Sequence, residues 1–263
     1  MTGREHEGNR KGQTALLTLA RHWLLAFLSP RPFVGFLYFP RFVKHYRKFK
    51  RLSRGTLAFR DTYPCMGDWM KYTPFDPHYF YQAAWLARMF AAFKPERNID
   101  IGSSVMTIGV LSAVVNTIFV DYRPLLTNLS NLCSISADIV FMPFRTNSIE
   151  SLSCLHVIEH IGLGRYGEQV DPEGSFKAAR ELERILKPGG KLYLSVPVGR
   201  ERVCFNAHRV FRPQTVSELF PALCPIEFCF VDDRGAFVED QPLSAAAECE
   251  YGCGLFIFEK PST

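Results

Sequence analysis

From Asp76 onward, apolar positions alternate between a helical period and short continuous runs. Behind Asp76-Pro77, the residues Tyr79, Ala83, Leu86, Met89, Phe90 and Phe93 recur at the spacing of one helix face, and Pro95 ends the pattern. "NIDIG" (98–102) then reads as a buried strand and "VMTIGVLSAVV" (105–115) as a short helix. "TIFVD" (117–121), "SISAD" (134–138) and "SLSCLHV" (151–157) read as further strands, the middle one weak in apolar content. "GSFKAARELERILKPGG" (174–190) is an amphipathic helix stopped at Pro188-Gly189-Gly190, and "KLYLSVP" (191–197) is a fifth strand. Strands alternating with helices predict an α/β fold: a doubly wound, mostly parallel sheet covered on both faces. Near the C-terminus "IEFCFVDD" and "CGLFIFEK" have no crossover helix between them, which predicts antiparallel strands at one sheet edge.

The N-terminal part follows a different pattern. Residues 15–43 are apolar and aromatic but broken by Arg21, Pro30, Arg31, Pro32, Pro40 and Arg41. The uncharged run His22–Pro30 is far shorter than the roughly 20 residues of a spanning helix, and no cleavage site of small residues follows it. Charge sharpens the division. The whole chain is +5, whereas residues 1–60 hold thirteen Lys and Arg against Glu5 and Glu7, a net of +11, so the remainder is −6. The expected organisation is a basic, aromatic-rich helical extension over 1–60 and a globular α/β domain over 61–263. The acidic balance of that domain argues against a nucleic-acid-binding core. For the extension two readings stay open: docking on the domain, or seating in a membrane interface with "RFVKHYRKFKRLSR" against anionic head groups. The eight cysteines form no CxxC pair and no zinc-like spacing with histidine, so no metal is expected and a reducing, cytoplasmic setting is. The membrane reading places the extension on the inner face of the plasma membrane.

In open α/β sheets ligands bind beyond the carboxyl ends of the strands. Those ends carry Asp100 and Gly102, then Asp121, Asp138, His156 with Glu159 and His160, and finally Ser195, Pro197 and Gly199. Asp121 stands 19 positions after Gly102, where an acid can accept hydrogen bonds from both ribose hydroxyls; a lone aspartate at a strand end also serves as a turn former. "HVIEHIGLGRYG" puts His156 and His160 at i, i+4 around Glu159, but in an order unlike HExxH. Core packing, metal binding and work at a substrate site are all readings of that pair. "FNAHRVF" adds Asn206, His208 and Arg209: a histidine suited to taking a proton near neutral pH, and an arginine suited to an anion. Capping a helix, or pairing with nearby acids, is the other reading of that cluster.

In this order and spacing the segments resemble the class I S-adenosylmethionine-dependent methyltransferases over about residues 76–260. "NIDIGSS" is similar to the first motif, "FVDYRPL" to the acidic second, "ADIVFMPFRTNSIESLSCLHVIEHI" to the third and fourth, and "ELERILKPGGKLYLSVP" to the helix–Pro-Gly-Gly–strand that follows. The resemblance implies S-adenosylmethionine as cofactor, with Asp100, Gly102, Ser103 and Ser104 along its methionine part. It also implies Asp121 and Tyr122 at the ribose and adenine, Asp138 and Ile139 at the adenine edge, and His156 closing the methionine end. Ser104 and Met106 stand where the family usually carries glycine. "DPHYFYQ", "HVIEHIGLGRYG" and "SVPVGRERVCFNAHRVF" further resemble an uncharacterised bacterial family associated with surface polysaccharide synthesis. That implies a small-molecule or cell-envelope glycan acceptor. From the residues themselves, Arg165, Tyr166, Asn206 and Arg209 are the candidate acceptor contacts, and His208 or His160 the candidate base with Glu159 assisting. A non-catalytic module that recruits glycan-assembly enzymes is the competing reading. A nucleotide-sugar enzyme ranks lower for want of an Asp-x-Asp motif.

Overall fold

In the computed structural model the described residues are 32–53 and 57–262. The chain divides between Pro74 and Phe75 into two units. In the first, a long helix α1 (Pro32–Leu52) continues through Pro40 and ends on Lys50 and Arg51. Cations at a helix C-terminus are favourable against its partial negative charge. The Arg41 guanidinium lies 4.3 Å from the Tyr38 ring and 4.1 Å from the Trp69 ring. Much of the apolar stretch weighed over residues 15–43 falls outside the described residues. Among those described, no helix is long and apolar enough to cross a membrane.

The second unit is built on an eight-stranded sheet in the order β3-β2-β1-β4-β5-β10-β8-β9. Its strands are β1 (Arg97–Ile101), β2 (Asn116–Asp121), β3 (Leu132–Ser136), β4 (Ile149–Leu155), β5 (Leu186–Val198), β8 (Cys224–Val231), β9 (Phe237–Val238) and β10 (Gly252–Glu259). A separate hairpin pairs β6 (Arg202–Cys204) with β7 (His208–Val210). β1 to β5 run parallel to one another, and β10 runs antiparallel between β5 and β8. The doubly wound expectation holds, and the two C-terminal strands do sit at one end of the sheet. The last strand in sequence takes the inner place there, so β8 regains the direction of β5. β5 starts earlier than "KLYLSVP": its pairing with β4 steps from Ile149–Leu186 to Ser151–Lys191, and Lys187–Gly190 bulges out between.

Alternate strand residues face two cores. Leu192, Leu194 and Val196 of β5, with Phe256 and Phe258 of β10, pack with Ala178, Leu182 and Ile185 of α4 (Gly174–Ile185). Tyr193, Leu255 and Ile257 point to the other face, against Trp85, Leu86 and Phe90 of α2 (Pro77–Phe93) and Ile108 and Leu111 of α3 (Val105–Leu111). Each such buried side chain is worth roughly 1.5–3 kcal/mol over exposure. α2 starts where the sequence places it: Asp76 caps it by accepting from the amides of His78 and Tyr79, with Pro77 at the first position. Polar anchors fix its rotation, since Ser195 Oγ donates to Gln82 Oε1 at 2.6 Å and Trp85 Nε1 to Glu227 Oε1 at 3.2 Å.

Candidate active site

The central strands are joined by a buried polar ladder. Ser151 Oγ donates to Asn98 Oδ1, Asn98 Nδ2 to Ser153 Oγ, and Ser153 Oγ to Asp100 Oδ2 at 2.5 Å. Ser103 N–H reaches Asp100 Oδ1, and Ser103 Oγ accepts from the Leu155 amide. Burial pushes the Asp100 carboxyl up to about 6, partly countered by the Ser153 and Ser103 hydrogen bonds. Asp100 and Ser103 were expected along a bound ligand; both are buried, Asp100 in β1 and Ser103 just after it, and their hydrogen bonds hold the turn after β1 in place. Ser104 precedes α3 without capping it and also lies outside the cavity wall. Met106, the bulky replacement of a glycine, is 78% exposed and does not line the cavity.

That cavity, of about 330 Å³, opens at the carboxyl ends of β1, β2 and β4 and is of the size of small-molecule sites. Gly102, Asp121, Tyr122, Asp138, Ile139 and His156 line it, as the sequence predicts. Gly102 has φ +61°, and a Cβ there would meet Val157 Cγ1 at 3.3 Å and Asp121 Oδ2 at 3.5 Å. A side chain would thus be both strained and in the way. Asp121 Oδ1 accepts from the Arg123 amide at 2.7 Å, which leaves Oδ2 toward the Gly102 turn. Asp138 stands at the end of the wall formed by Ala137, Ile139 and Val140, its Oδ1 taken by the Val140 amide. Ile101, Val120, Ile139 and Val157 give the same cavity an apolar lining. Apolar lining together with two strand-end acids suits a nucleoside. Arg123 sits 4.8 Å from the Tyr166 ring, bringing the β2 loop and the segment after β4 together at the rim.

A second cleft, of about 540 Å³, shares His156, His160 and Tyr166 with the first. Its remaining wall includes His78, Tyr79, Glu159, Arg165, His208 and Tyr251. Four of the seven histidines of the chain therefore meet here. Glu159 is fully buried: Oε1 accepts from His156 Nδ1 at 2.8 Å and lies 3.7 Å from His160 Nε2, and Oε2 has no hydrogen-bond partner among the described residues. His160 Nδ1 donates to the Ala207 carbonyl at 2.7 Å, so in the neutral ring Nε2 keeps its lone pair. Burial disfavours a charge on His156, yet the Cys253 sulfur and the Glu159 carboxylate outweigh it and hold the ring well above its usual range. Burial pulls His208 below the usual value, with His160 and Arg202 adding to the fall against Glu159.

Two residues expected at the acceptor are elsewhere. Arg209 is buried, and its guanidinium donates to the carbonyls of Ile161 (2.7 Å) and Pro172 (3.2 Å), clasping the segment after β4. Asn206 is exposed on the β6–β7 turn and lines neither cavity. That segment closes on itself at Gly162, where φ is +82° and a Cβ would lie 1.9 Å from the Asp171 carbonyl. Sequence reasoning missed His78, Tyr79, Tyr251 and Cys253. "DPHYFYQ" held a signal, since its capping aspartate fixes which residues begin α2. Cys253 looked like any buried cysteine, because its place depends on β10 pairing with β5 across 55 residues (Cys253 opposite Pro197).

Comparison with known proteins adds the following. Residues 113–227 match a family model described as Caenorhabditis protein of unknown function, DUF268. Comparison with curated protein sequences gives no match. Among solved structures, the N-methyltransferase NodS from Bradyrhizobium japonicum WM9 is 16% identical, with a TM-score of 0.51 over 71% of this chain and 98% of that one. The same enzyme in complex with S-adenosyl-L-homocysteine is 17% identical, with a TM-score of 0.50 over 81% of this chain and 98% of that one. The YcgJ protein from Bacillus subtilis is 14% identical, with a TM-score of 0.49 over 70% and 100%. With its β3-β2-β1-β4-β5-β10-β8 order and reversed inner strand, the second unit has the class I methyltransferase fold.

Proposed function

We propose that this chain is an S-adenosylmethionine-dependent methyltransferase whose donor occupies the first cavity and whose acceptor occupies the second cleft. The observation that carries the reading is the shared wall: His156, His160 and Tyr166 line both spaces, so the two adjoin at these side chains. The residues fit the donor. Gly102 keeps the turn open, Asp121 Oδ2 is free to accept from a ribose diol, and Asp138 is placed for an exocyclic amine. When bound, S-adenosylmethionine would supply an electrophilic methyl group. The protein's part is alignment of donor and acceptor, and removal of the acceptor's proton. His208, held below its usual range by burial, and His160, whose Nε2 faces Glu159, are the two bases available.

The acceptor we favour is a hydroxyl or amine of a cell-envelope glycan or its activated precursor. The rings of Tyr79, Tyr166 and Tyr251 along the cleft support this, since they suit sugar faces. We also propose that the first unit meets an anionic membrane surface. Lys44, Arg47, Lys48, Lys50 and Arg51 project from α1 beside exposed Leu37, Phe49 and Leu52. The test of the donor site is calorimetric titration of the full chain with S-adenosylhomocysteine, alongside mass spectrometry of ligand retained through native purification. Saturable one-to-one binding is expected. No heat and no retained nucleoside would sink the proposal.

A further inference from the structure

The second cleft contains one cluster that methyl transfer does not require. His78, His156 and Cys253 each offer a donor atom, and the three atoms lie within 4.8 Å of one another. We propose that these residues bind a divalent transition-metal ion, zinc by the nature of the donors, at the wall of this cleft.

Each donor is delivered by a different element. His78 is in the first turn of α2, set there by the Asp76 cap. His156 follows β4 with φ +55°, a left-handed conformation that non-glycine residues adopt rarely and that collects at functional positions. Its amide donates to the Ser195 carbonyl at 2.9 Å, which holds it in that state. Cys253 is the second residue of β10 and is fully buried, with Sγ 3.3 Å from His156 Nε2. Two nitrogens and one thiolate make a donor set that favours zinc over the hard, oxygen-seeking cations.

The surroundings match what such ligands need. A metal-bound histidine usually gives its second ring N–H to a carboxylate, which fixes the tautomer and the ring plane. Glu159 does this for His156: Nδ1 donates to Oε1 at 2.8 Å and Nε2 is turned toward Cys253 and His78, where the ion would displace its proton. The second oxygen of Glu159 is buried and has no hydrogen-bond partner among the described residues. Tetrahedral zinc with these ligands sets donors about 3.3–3.6 Å apart, so the cluster must close by about 1 Å. His78 supplies that movement. Its half-buried ring lies stacked 5.7 Å from that of His156 and must rotate to aim a nitrogen at the ion. Cys253 is behind and both histidines line the cleft, so the fourth position faces the cleft. A hydroxyl, amine or thiol there would complete the shell. That last role rests on the acceptor reading above; the metal site itself does not.

The full chain, stripped with a chelator, is titrated with Zn²⁺ against a chromophoric competitor and separately with Co²⁺. One equivalent of zinc is expected, with a cobalt spectrum showing intense tetrahedral bands and a thiolate charge-transfer band. Cys253→Ser removes the charge-transfer band, and His78→Ala and Cys253→Ser each weaken zinc by about a hundredfold. Because a variant of a buried cysteine can misfold, the unaltered chain gives a second readout: bound zinc protects Cys253 from alkylation, mapped by peptide mass spectrometry. A cobalt spectrum without thiolate character overturns the proposal, as does alkylation of Cys253 that zinc leaves unchanged. Either result would assign the cluster to a metal-independent imidazole–thiol pair. S-adenosylhomocysteine binding, measured on the same samples, shows separately whether the donor site stands.

Discussion

Asp121→Asn separates a ligand-binding carboxylate from a turn former. Its Oδ1 already takes the Arg123 amide at 2.7 Å and approaches Arg123 Nε at 3.4 Å, and Oδ2 lies on the Gly102 side of the cavity. An asparagine can keep the first bond through its amide oxygen but puts a donor where Oδ2 was, and that donor cannot accept from a ribose hydroxyl. Hydrogen bonds to a charged partner contribute about 1.5–3 kcal/mol. A loss of about 2 kcal/mol corresponds to roughly thirtyfold in affinity. The fold should barely notice the change. The Arg123 side chain is 64% exposed, and such surface ion pairs are worth about 0–1 kcal/mol. Calorimetry with S-adenosylhomocysteine, on samples matched by circular dichroism and melting temperature, reads the effect. If a well-folded Asp121→Asn binds within about threefold of the parent, Asp121 is a turn former and the donor reading of the cavity is wrong.

Other outcomes follow from the same geometry. The Asp100 carboxyl is pushed from 3.8 up to about 6 chiefly by burial, so the folded state holds its proton more tightly than the unfolded chain. Its contribution is therefore fully present below about pH 4 and is lost as pH rises through 6, a fall of about 2–3 kcal/mol. Asp100→Asn should flatten that part of the stability–pH curve in urea melts, and a difference between the two proteins that is constant with pH would refute it. Arg209→Ala removes the clasp on the Ile161 and Pro172 carbonyls and should cost about 3 kcal/mol. It should also raise amide exchange over residues 159–172, and Arg209→Lys should not restore protection, since a single ammonium cannot span both carbonyls. Full-length protein should float with anionic liposomes, and a chain lacking residues 1–60 should not. Equal flotation would leave the extension as a docking element.

What the sequence made legible was the alternation. Hydrophobic period and capping chemistry placed α2, α4 and the parallel strands. The strand ends then located Gly102, Asp121, Asp138 and His156, which do line one cavity. Residues that resemble a motif but face the sheet interior were harder. Asp100 and Ser103 have the identities expected of ligand contacts, yet their hydrogen bonds run to Ser153 and Leu155 in the neighbouring strand. Arg209 deceived for a related reason: a buried arginine can satisfy its donors on backbone carbonyls, and spacing along the chain does not reveal which carbonyls come near. The second cleft was half legible. His160, Glu159 and His208 lie in polar clusters that stand out, whereas His78 and Cys253 meet His156 only through the pairing of β10 and the docking of α2. Such long-range placement leaves no periodic trace.

The central claim is a location: adenosine between Asp121 and Asp138, and the reactive end at the wall of His156 and His160. A crystal structure of the full chain grown with S-adenosylhomocysteine tests it most directly. The account predicts density with the ribose hydroxyls on Asp121 Oδ2, the adenine against Ile139, and the sulfur beside the shared histidine wall. Density elsewhere, or an empty cavity at saturating ligand, would contradict it.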